Sequence, residues 1–178
     1  MEVGAALKNA EGRKWVAEIE ETTAVLGGIM SIINPGQYQA GIACIEAIVT
    51  CQRYIHKAQY LEELLQVWGA PFNVISIMNN RDSPLHRDTG GGYSTMDIMF
   101  SVGPYASCRF SVPGVGVELW YRSGTVIALA GRVVRHGAKA DGDRLCVAFY
   151  SRENVWHAFD IPEPQWTSIT NLQNCTFV

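Results

Sequence analysis

The side chains best suited to chemistry lie in the stretch NNRDSPLHRDTGGGYSTMDIMFSVGPY, residues 79 to 105. Here a single residue separates His86, one of only four histidines in the chain, from Asp88. If the segment is extended, residues i and i+2 point the same way, so both side chains can reach one ion. An imidazole and a carboxylate together suit Fe(II), Mn(II) or Zn(II). The alternative is a surface histidine beside a capping aspartate, because a lone His-x-Asp motif also arises by chance.

A third ligand is available at the end of the stretch SGTVIALAGRVVRHGA. The pattern predicts a turn, an apolar strand and then His136 ahead of Gly137. The interval from Asp88 to His136 is long enough for several antiparallel strands, which would return the chain beside its start. Two histidines and one carboxylate occupy one face of an octahedral iron and leave three positions open.

Arg144 follows His136 and lies within the predicted strand DRLCVAFY. A lone arginine in an apolar strand is costly unless it meets an anion, because its charge cannot be neutralised. An edge strand with Arg144 in solvent is the alternative. A 2-oxo acid could fill two of the open iron positions and O2 the third, while Arg144 holds the far carboxylate through a bidentate fork. The ordered set therefore favours an iron-dependent oxygenase.

Two other classes of protein stay open from the residues alone. A zinc hydrolase could use the same two histidines and one aspartate. A non-enzymatic β-barrel binding module could keep a metal or lose it. Neither class needs a buried cation shortly after the last ligand, so Arg144 favours the oxygenase over both.

Length and composition predict one globular domain over residues 1–178, with a mass of 19.6 kDa and an apolar fraction of 48%. No apolar run approaches the roughly 20 residues of a membrane span, and no secretory signal is visible. Five scattered cysteines without a CxxC pair predict a reduced, intracellular setting.

The net charge is −3, but residues 71–152 carry 9 basic and 6 acidic side chains, which suggests an anion-facing centre.

The chain changes character at about residue 70. Residues 1–70 are predicted to be helical support: one helix around Trp15 to Leu26, a second from Pro35 to about Cys51, and a third over YLEELLQVWG. Residues 71–155 contain short β-rich runs between turn residues and are predicted to form the catalytic core. Residues 156–178 are a C-terminal segment. The predicted fold class is α+β, with N-terminal helices that cover an antiparallel barrel or jelly roll.

The segments IMNNRDSPLHRD, MDIMFSVGPY, LWYRSGTVIALAGRVVRHGA and DRLCVAFYSRENV resemble the TET/JBP branch of the Fe(II)/2-oxoglutarate dioxygenases, in the form carried by mushroom-type fungi. The resemblance runs from about Pro35 to Val155. It implies a double-stranded β-helix, and it implies Fe(II), 2-oxoglutarate and O2 as cofactor and co-substrates. The implied activity is oxidation of 5-methylcytosine in DNA to 5-hydroxymethylcytosine and further products, hence DNA demethylation in the nucleus. 6-Methyladenine in DNA, a protein and a small molecule are the alternative substrates.

The resemblance also implies a role for individual residues. His86, Asp88 and His136 are the metal ligands, and Arg144 binds 2-oxoglutarate. Asn80 and Arg81 stand where the family often places residues that steady the co-substrate or a loop, and Tyr150 where a base-stacking aromatic is expected. Arg132, Arg135 and Lys139 are either phosphate contacts near His136 or solvated cations. Gly90–Gly92 are either a plain loop or a mobile lid. Trp120 and Tyr121 are expected to pack in the barrel, with base contacts as the alternative.

Overall fold

A computed structural model describes residues 4–51, 58–166 and 168 of the chain. The chain divides into two compact units, one of Met1–Pro71 with Trp156–Val178 and one of Phe72–Val155. The first unit is helical and the second contains the strands. No helix in these described ranges has the length and apolar character needed to cross a lipid bilayer. The prediction of a single domain over residues 1–178 stays a prediction.

The helical unit is built from four helices that follow one another closely. They are α1 (Ala10–Glu18), α2 (Glu20–Ile33), α3 (Pro35–Thr50) and α4 (Ala58–Leu65). The first predicted helix is divided into two helices, α1 and α2, because the backbone leaves helical geometry at Ile19 (φ −101°, ψ 12°). The stop predicted around Asn34 is confirmed: its side chain caps α3 by accepting a hydrogen bond from the Gln37 amide at 3.2 Å, and Pro35 occupies the first turn.

The third predicted helix ends earlier than expected. The pattern YLEELLQVWG predicted a helix up to Gly69, but α4 ends at Leu65 and the Val67 amide bonds back to the Leu64 carbonyl at 3.1 Å. The segment that follows lies against α2, where a Cβ on Gly27 would stand 3.0 Å from the Gly69 carbonyl oxygen. Packing of this segment on α2 therefore replaces the last predicted turn.

The strand unit contains two antiparallel sheets of four strands. In chain order the strands are β1 (Val74–Asn79), β2 (Ser83–His86), β3 (Asp97–Val102), β4 (Ser107–Val112), β5 (Val117–Trp120), β6 (Val126–Leu129), β7 (His136–Asp141) and β8 (Leu145–Tyr150). One sheet has the order β1-β8-β3-β6 and the other β2-β7-β4-β5. This alternation between two sheets is the double-stranded β-helix, or jelly roll, and confirms the predicted α+β class.

Side-chain alternation places one face of β3, β4, β6, β7 and β8 in a shared core. The core members with the least exposure include Cys108, Phe110, Tyr121 and Cys146. Tyr121 thus belongs to barrel packing as predicted, whereas Trp120, one residue away, points outward and is 53% exposed. The prediction that Trp120 packs in the barrel is wrong, because neighbouring residues of a strand face opposite sides. A short helix, α5 (Glu153–Ala158), follows β8.

Candidate metal and co-substrate site

The pairing of β2 with β7 brings the two predicted histidine ligands together. His86 is the last residue of β2 and His136 the first of β7, and they are register partners in this ladder. Their ring centroids are 4.5 Å apart. Asp88 lies just beyond β2, and its amide donates to the Gly131 carbonyl at 3.0 Å. Strand pairing therefore closes the long interval between the His-x-Asp motif and the third predicted ligand.

The three side chains converge on one point. His86 Nε2 lies 3.3 Å from one oxygen of Asp88, and His136 Nε2 lies 3.5 Å from the other. One ligand atom of each residue lies within 4.8 Å of the others. The Nδ1 atoms face backbone carbonyls, at 2.8 Å from Pro84 for His86 and at 3.1 Å from Val134 for His136. These contacts direct both Nε2 atoms at the carboxylate, as metal-binding histidines require, so the donor set fits a ferrous ion.

The site is buried on one side and open on the other. His136 is 4% exposed and its ring stacks on Phe110 at 5.7 Å and 19°. The side chains of His86 and Asp88 are 42% and 36% exposed. His136 therefore forms the floor of the site, and the other two side chains line an edge that solvent and small molecules can reach.

A second carboxylate, Asp97 at the start of β3, lies against the triad and was missed from the sequence. Burial first, and then the charge of Asp88 and a hydrogen bond with it, raise the pKa of Asp97 to about 8. Asp97 is therefore protonated near neutral pH and can donate a hydrogen bond to Asp88. The reasoning applied to Arg144, that a charged residue in an apolar strand needs a partner, would have found this residue in MDIMFSV.

Gly131 permits the two carboxyl groups to approach each other. A Cβ at this position would overlap one oxygen of Asp88 and one oxygen of Asp97. Only glycine leaves this space free, because every other residue carries a Cβ. Nothing in the sequence around Gly131 distinguishes it from an ordinary turn glycine, so this requirement is visible only in three dimensions.

Arg144 is buried as predicted but lies immediately before β8 rather than inside it. It is 5% exposed, and its Nε donates to the Ser101 hydroxyl at 2.7 Å. An Nη1 contact to the Arg81 carbonyl is long, at 3.5 Å, and the guanidinium carbon is 5.1 Å from the Tyr121 ring centroid. Among the residues that the structure describes, no carboxylate pairs with Arg144. A buried guanidinium is costly without an anion, so this environment favours the predicted role of Arg144 as a carboxylate-binding residue.

Asn80 fixes the backbone of Arg144. Its amide donates to the Arg144 carbonyl at 2.8 Å, and its side-chain oxygen accepts from the Arg144 amide at 2.7 Å. The side-chain nitrogen bonds to Asp143 at 2.9 Å, and Asn80 adopts a left-handed conformation with φ 48°. Arg81 contributes its carbonyl, and its side chain is exposed. The predicted contact of Asn80 and Arg81 with the co-substrate stays a prediction.

Tyr150 is the last residue of β8. It is half-buried, and its hydroxyl lies 3.2 Å from the hydroxyl of Ser76 on β1, the neighbouring strand. Alternation along the strand places Tyr150 on the same face as Arg144 and Cys146. Its base-stacking role stays a prediction.

The three cations predicted to crowd the approach to His136 are not grouped in the structure. Arg132 is bonded to Glu153 at 2.7 Å and to the Gly91 carbonyl. Arg135 is exposed and its Nε faces the Leu85 carbonyl at 3.4 Å. Lys139 is exposed on β7, three residues from His136 and so on the opposite face of the sheet. Alternation along β7 thus sets Lys139 apart from His136, whereas Arg132 and Arg135 lie in the turn before this strand. The role of the three cations as phosphate contacts stays a prediction.

The glycine loop after Asp88 is held in place by bonds to its carbonyls. Arg132 donates to Gly91, Thr95 donates to Gly92 at 2.9 Å, and the Glu153 amide lies 3.4 Å from the Gly90 carbonyl. Gly91 and Gly92 are buried. Each of the three carbonyls has a partner, which favours the plain loop over the mobile lid.

The chain has two further histidines, which are not among the predicted ligands. His157 on α5 lies 3.4 Å from Glu163 and is exposed. His56 lies outside the described residues.

A jelly roll with two histidines and an aspartate at neighbouring strand ends, and a buried arginine free for an anion, defines the class of the Fe(II)/2-oxoglutarate dioxygenases. The family model Tet_JBP, described as the oxygenase domain of the 2OGFeDO superfamily, matches residues 5–153. The chain belongs to this TET/JBP family, as the sequence predicted. It is therefore an oxidoreductase whose family uses Fe(II), 2-oxoglutarate and O2.

A comparison of folds gives a related result. NgTET1 in complex with 5mC DNA matches with a TM-score of 0.58 and 13% sequence identity over 97% of this chain. The match covers 62% of the NgTET1 chain, so this chain spans less than two thirds of that protein. At this identity the likeness concerns the fold. No protein among the curated ones matches the sequence significantly.

Proposed function

We propose that this chain oxidises a methylated base in DNA, with 5-methylcytosine as the favoured substrate and 5-hydroxymethylcytosine and further oxidised bases as products. The observation that carries the oxygenase chemistry is the buried Arg144 guanidinium, which has no carboxylate partner among the described residues, in the same barrel as His86, Asp88 and His136. Family membership supports DNA as the substrate, and the similar fold of NgTET1, solved with 5mC DNA, is consistent with it. Action on DNA would place the protein in the nucleus.

The chain's own residues would divide the work as follows. His86, Asp88 and His136 would hold the iron through two imidazoles and one carboxylate. When bound, the iron supplies the activation of O2, coupled to decarboxylation of 2-oxoglutarate to succinate and CO2, that oxidises a C–H bond of the substrate. Arg144 binds the far carboxylate of 2-oxoglutarate, and Ser101 and Asn80 hold Arg144 in position.

A methylated base has to leave the duplex to reach this site. A base that is stacked in DNA cannot approach a partly buried metal, so enzymes that act on bases flip the nucleotide out of the helix. Tyr150, on the face that also carries Arg144, is the proposed stacking partner of the flipped base. The half-buried ring and its bond to Ser76 would keep this surface in one orientation.

Mass spectrometry of nucleosides tests the proposal. The protein is incubated with Fe(II), 2-oxoglutarate and matched duplexes that carry 5-methylcytosine, 6-methyladenine or neither. Oxidised cytosines, absent with the Asp88→Ala variant, are the expected result. Loss of methyladenine alone would replace the favoured substrate by the alternative one. Turnover of neither base, with 2-oxoglutarate still bound, would remove DNA from the proposal and point to a protein or small molecule.

A further inference from the structure

Tyr93 is an exposed aromatic ring within an otherwise well-packed segment. It is 62% exposed, although Gly92 before it and Thr95 after it are buried. The guanidinium of Arg132 lies over its ring, 4.1 Å from the centroid. One face of the ring is therefore covered by a cation, and the exposure comes from the other face and the edges.

Arg132 is itself fixed and its charge is compensated. It bonds to the Glu153 carboxylate at 2.7 Å and to the Gly91 carbonyl, while Thr95 bonds to the Gly92 carbonyl at 2.9 Å. Arg132 thus supports one face of the Tyr93 ring, and the bonds to Gly91 and Gly92 hold the loop that carries it. A ring held in this way loses little conformational freedom when a ligand stacks on it.

The Tyr93–Arg132 pair is connected to the metal site by its neighbours in sequence. Gly131, next to Arg132, lies against the carboxylates of Asp88 and Asp97. On the other side of the pair, a Cβ on Gly91 would stand 3.7 Å from the Asp97 carboxylate. Tyr93 therefore stands at the rim of the site, one loop away from the predicted iron ligands.

We propose that Tyr93 is a substrate-binding residue that stacks on a nucleobase flanking the methylated one. This inference rests on the proposed function. A flat, exposed and supported ring suits a nucleobase because every base offers a π-face, whatever the sequence. A phosphate is the poorer occupant, since the charge of Arg132 is already compensated by Glu153.

The chain provides a matched control for this pair. Trp120 is also an exposed aromatic ring stacked on an arginine, with the guanidinium carbon of Arg109 3.1 Å from its ring centroid. Trp120 and Arg109 are register partners on β5 and β4 and face outward, away from the core. The two pairs share their chemistry and differ in their distance along the chain from the predicted ligands.

Binding of a fluorescent duplex with one 5-methylcytosine, and KM for the same duplex, would be measured for the wild type, Tyr93→Ala, Tyr93→Phe and Trp120→Ala. Loss of one base–aromatic stack weakens binding by about 10- to 100-fold. We expect this loss for Tyr93→Ala alone, with wild-type affinity for Tyr93→Phe and Trp120→Ala. Circular dichroism and 2-oxoglutarate affinity check that Tyr93→Ala is folded.

The other outcomes overturn the inference in distinguishable ways. Equal weakening by Tyr93→Ala and Trp120→Ala would indicate a general surface effect, and equal weakening by Tyr93→Phe would assign the contact to the hydroxyl group. Wild-type behaviour of Tyr93→Ala would remove Tyr93 from the DNA contact while leaving the proposed function intact. If the wild type neither binds nor oxidises the duplex, the proposed function fails first and the inference fails with it.

Discussion

Two arginines in the strand unit show how differently the same side chain is used. Arg144 is buried beside the barrel core, and its contacts are a serine hydroxyl, a distant carbonyl and an aromatic ring. Arg132 is more exposed, yet it has a carboxylate, a carbonyl and a tyrosine ring as partners. Among the described residues, no carboxylate neutralises the buried charge, whereas Glu153 neutralises the more exposed one. In the proposed function, Arg144 binds the co-substrate and Arg132 supports a loop and the ring of Tyr93.

The largest effect is expected from the loss of a predicted metal ligand. Substituting His86 or Asp88 by Ala removes one of three ligands, so turnover of 2-oxoglutarate should fall to background. The fold should survive, because both side chains are more than a third exposed. Succinate production with added Fe(II) and far-UV circular dichroism measure the two effects. If both variants stay active with added iron, the ligand assignment is wrong. His136 is the poorer choice for this test, because its ring packs on Phe110.

The second largest effect is expected when the two arginines are each replaced by lysine. Arg144→Lys keeps the charge but loses the planar fork, and a hydrogen bond to a charged group contributes about 1.5–3 kcal/mol, so the KM for 2-oxoglutarate should rise by about 10- to 100-fold. Iron affinity should change little. Arg132→Lys is the matched control, and its KM for 2-oxoglutarate should stay near that of the wild type. Equal behaviour of the two variants in this assay would abolish the distinction between the two arginines.

A smaller effect is expected from the partner of Arg132. Glu153→Gln keeps the shape of the side chain and removes its charge, which weakens the bond that holds the glycine loop. The thermal midpoint should fall by a few degrees and the amides of the loop should exchange faster with deuterium. The KM for 2-oxoglutarate should be unchanged. A variant with wild-type exchange in this loop would show that the bond does not hold it.

The smallest effect concerns the two buried cysteine thiols near Arg144, Cys108 and Cys146. Burial raises the pKa of the Cys108 and Cys146 thiols above the ordinary value, so little thiolate is present at pH 8. The folded state then binds these protons more tightly than the unfolded state, and stability should decrease as the pH rises above the thiol pKa of the unfolded chain. Iodoacetamide at pH 8 should label the half-buried Cys51 well before Cys108 and Cys146, as peptide mass spectrometry would show. Equal labelling rates in the folded protein would mean that the interior is open to solvent.

The sequence predicted those site residues that can be recognised from their type and their spacing along the chain. The order of His86, Asp88, His136 and Arg144 indicated the chemistry because each member is unusual in its local context. The strands that carry the ligands were the ones the sequence did not reveal. β2 (SPLH) contains proline, and β7 (HGAKAD) has glycine and alternating charges, so neither has strand-like composition. Both strands form because their neighbours in the sheet require partners.

The parts that the sequence did not predict depend on register and close approach. Ser101 meets Arg144 only because β3 pairs with β8. Asp97 meets Asp88 only because Gly131 leaves room between the strands. Lys139 lies on the opposite face of β7 from His136, and Arg132 meets Glu153 and Gly91 only because the chain folds back on itself. These relations are properties of pairs of strands, and spacing along one chain does not contain them.

Gly131 limits how the site can be changed by evolution or by design. Any side chain there would force apart the carboxylates of Asp88 and Asp97, so a library that randomises this position should return glycine alone among clones that bind iron. Position 90 is its opposite, since a Cβ there meets nothing within 4 Å. An engineer who wants to alter the substrate while keeping the metal should therefore vary the loop after Asp88 and leave position 131 untouched.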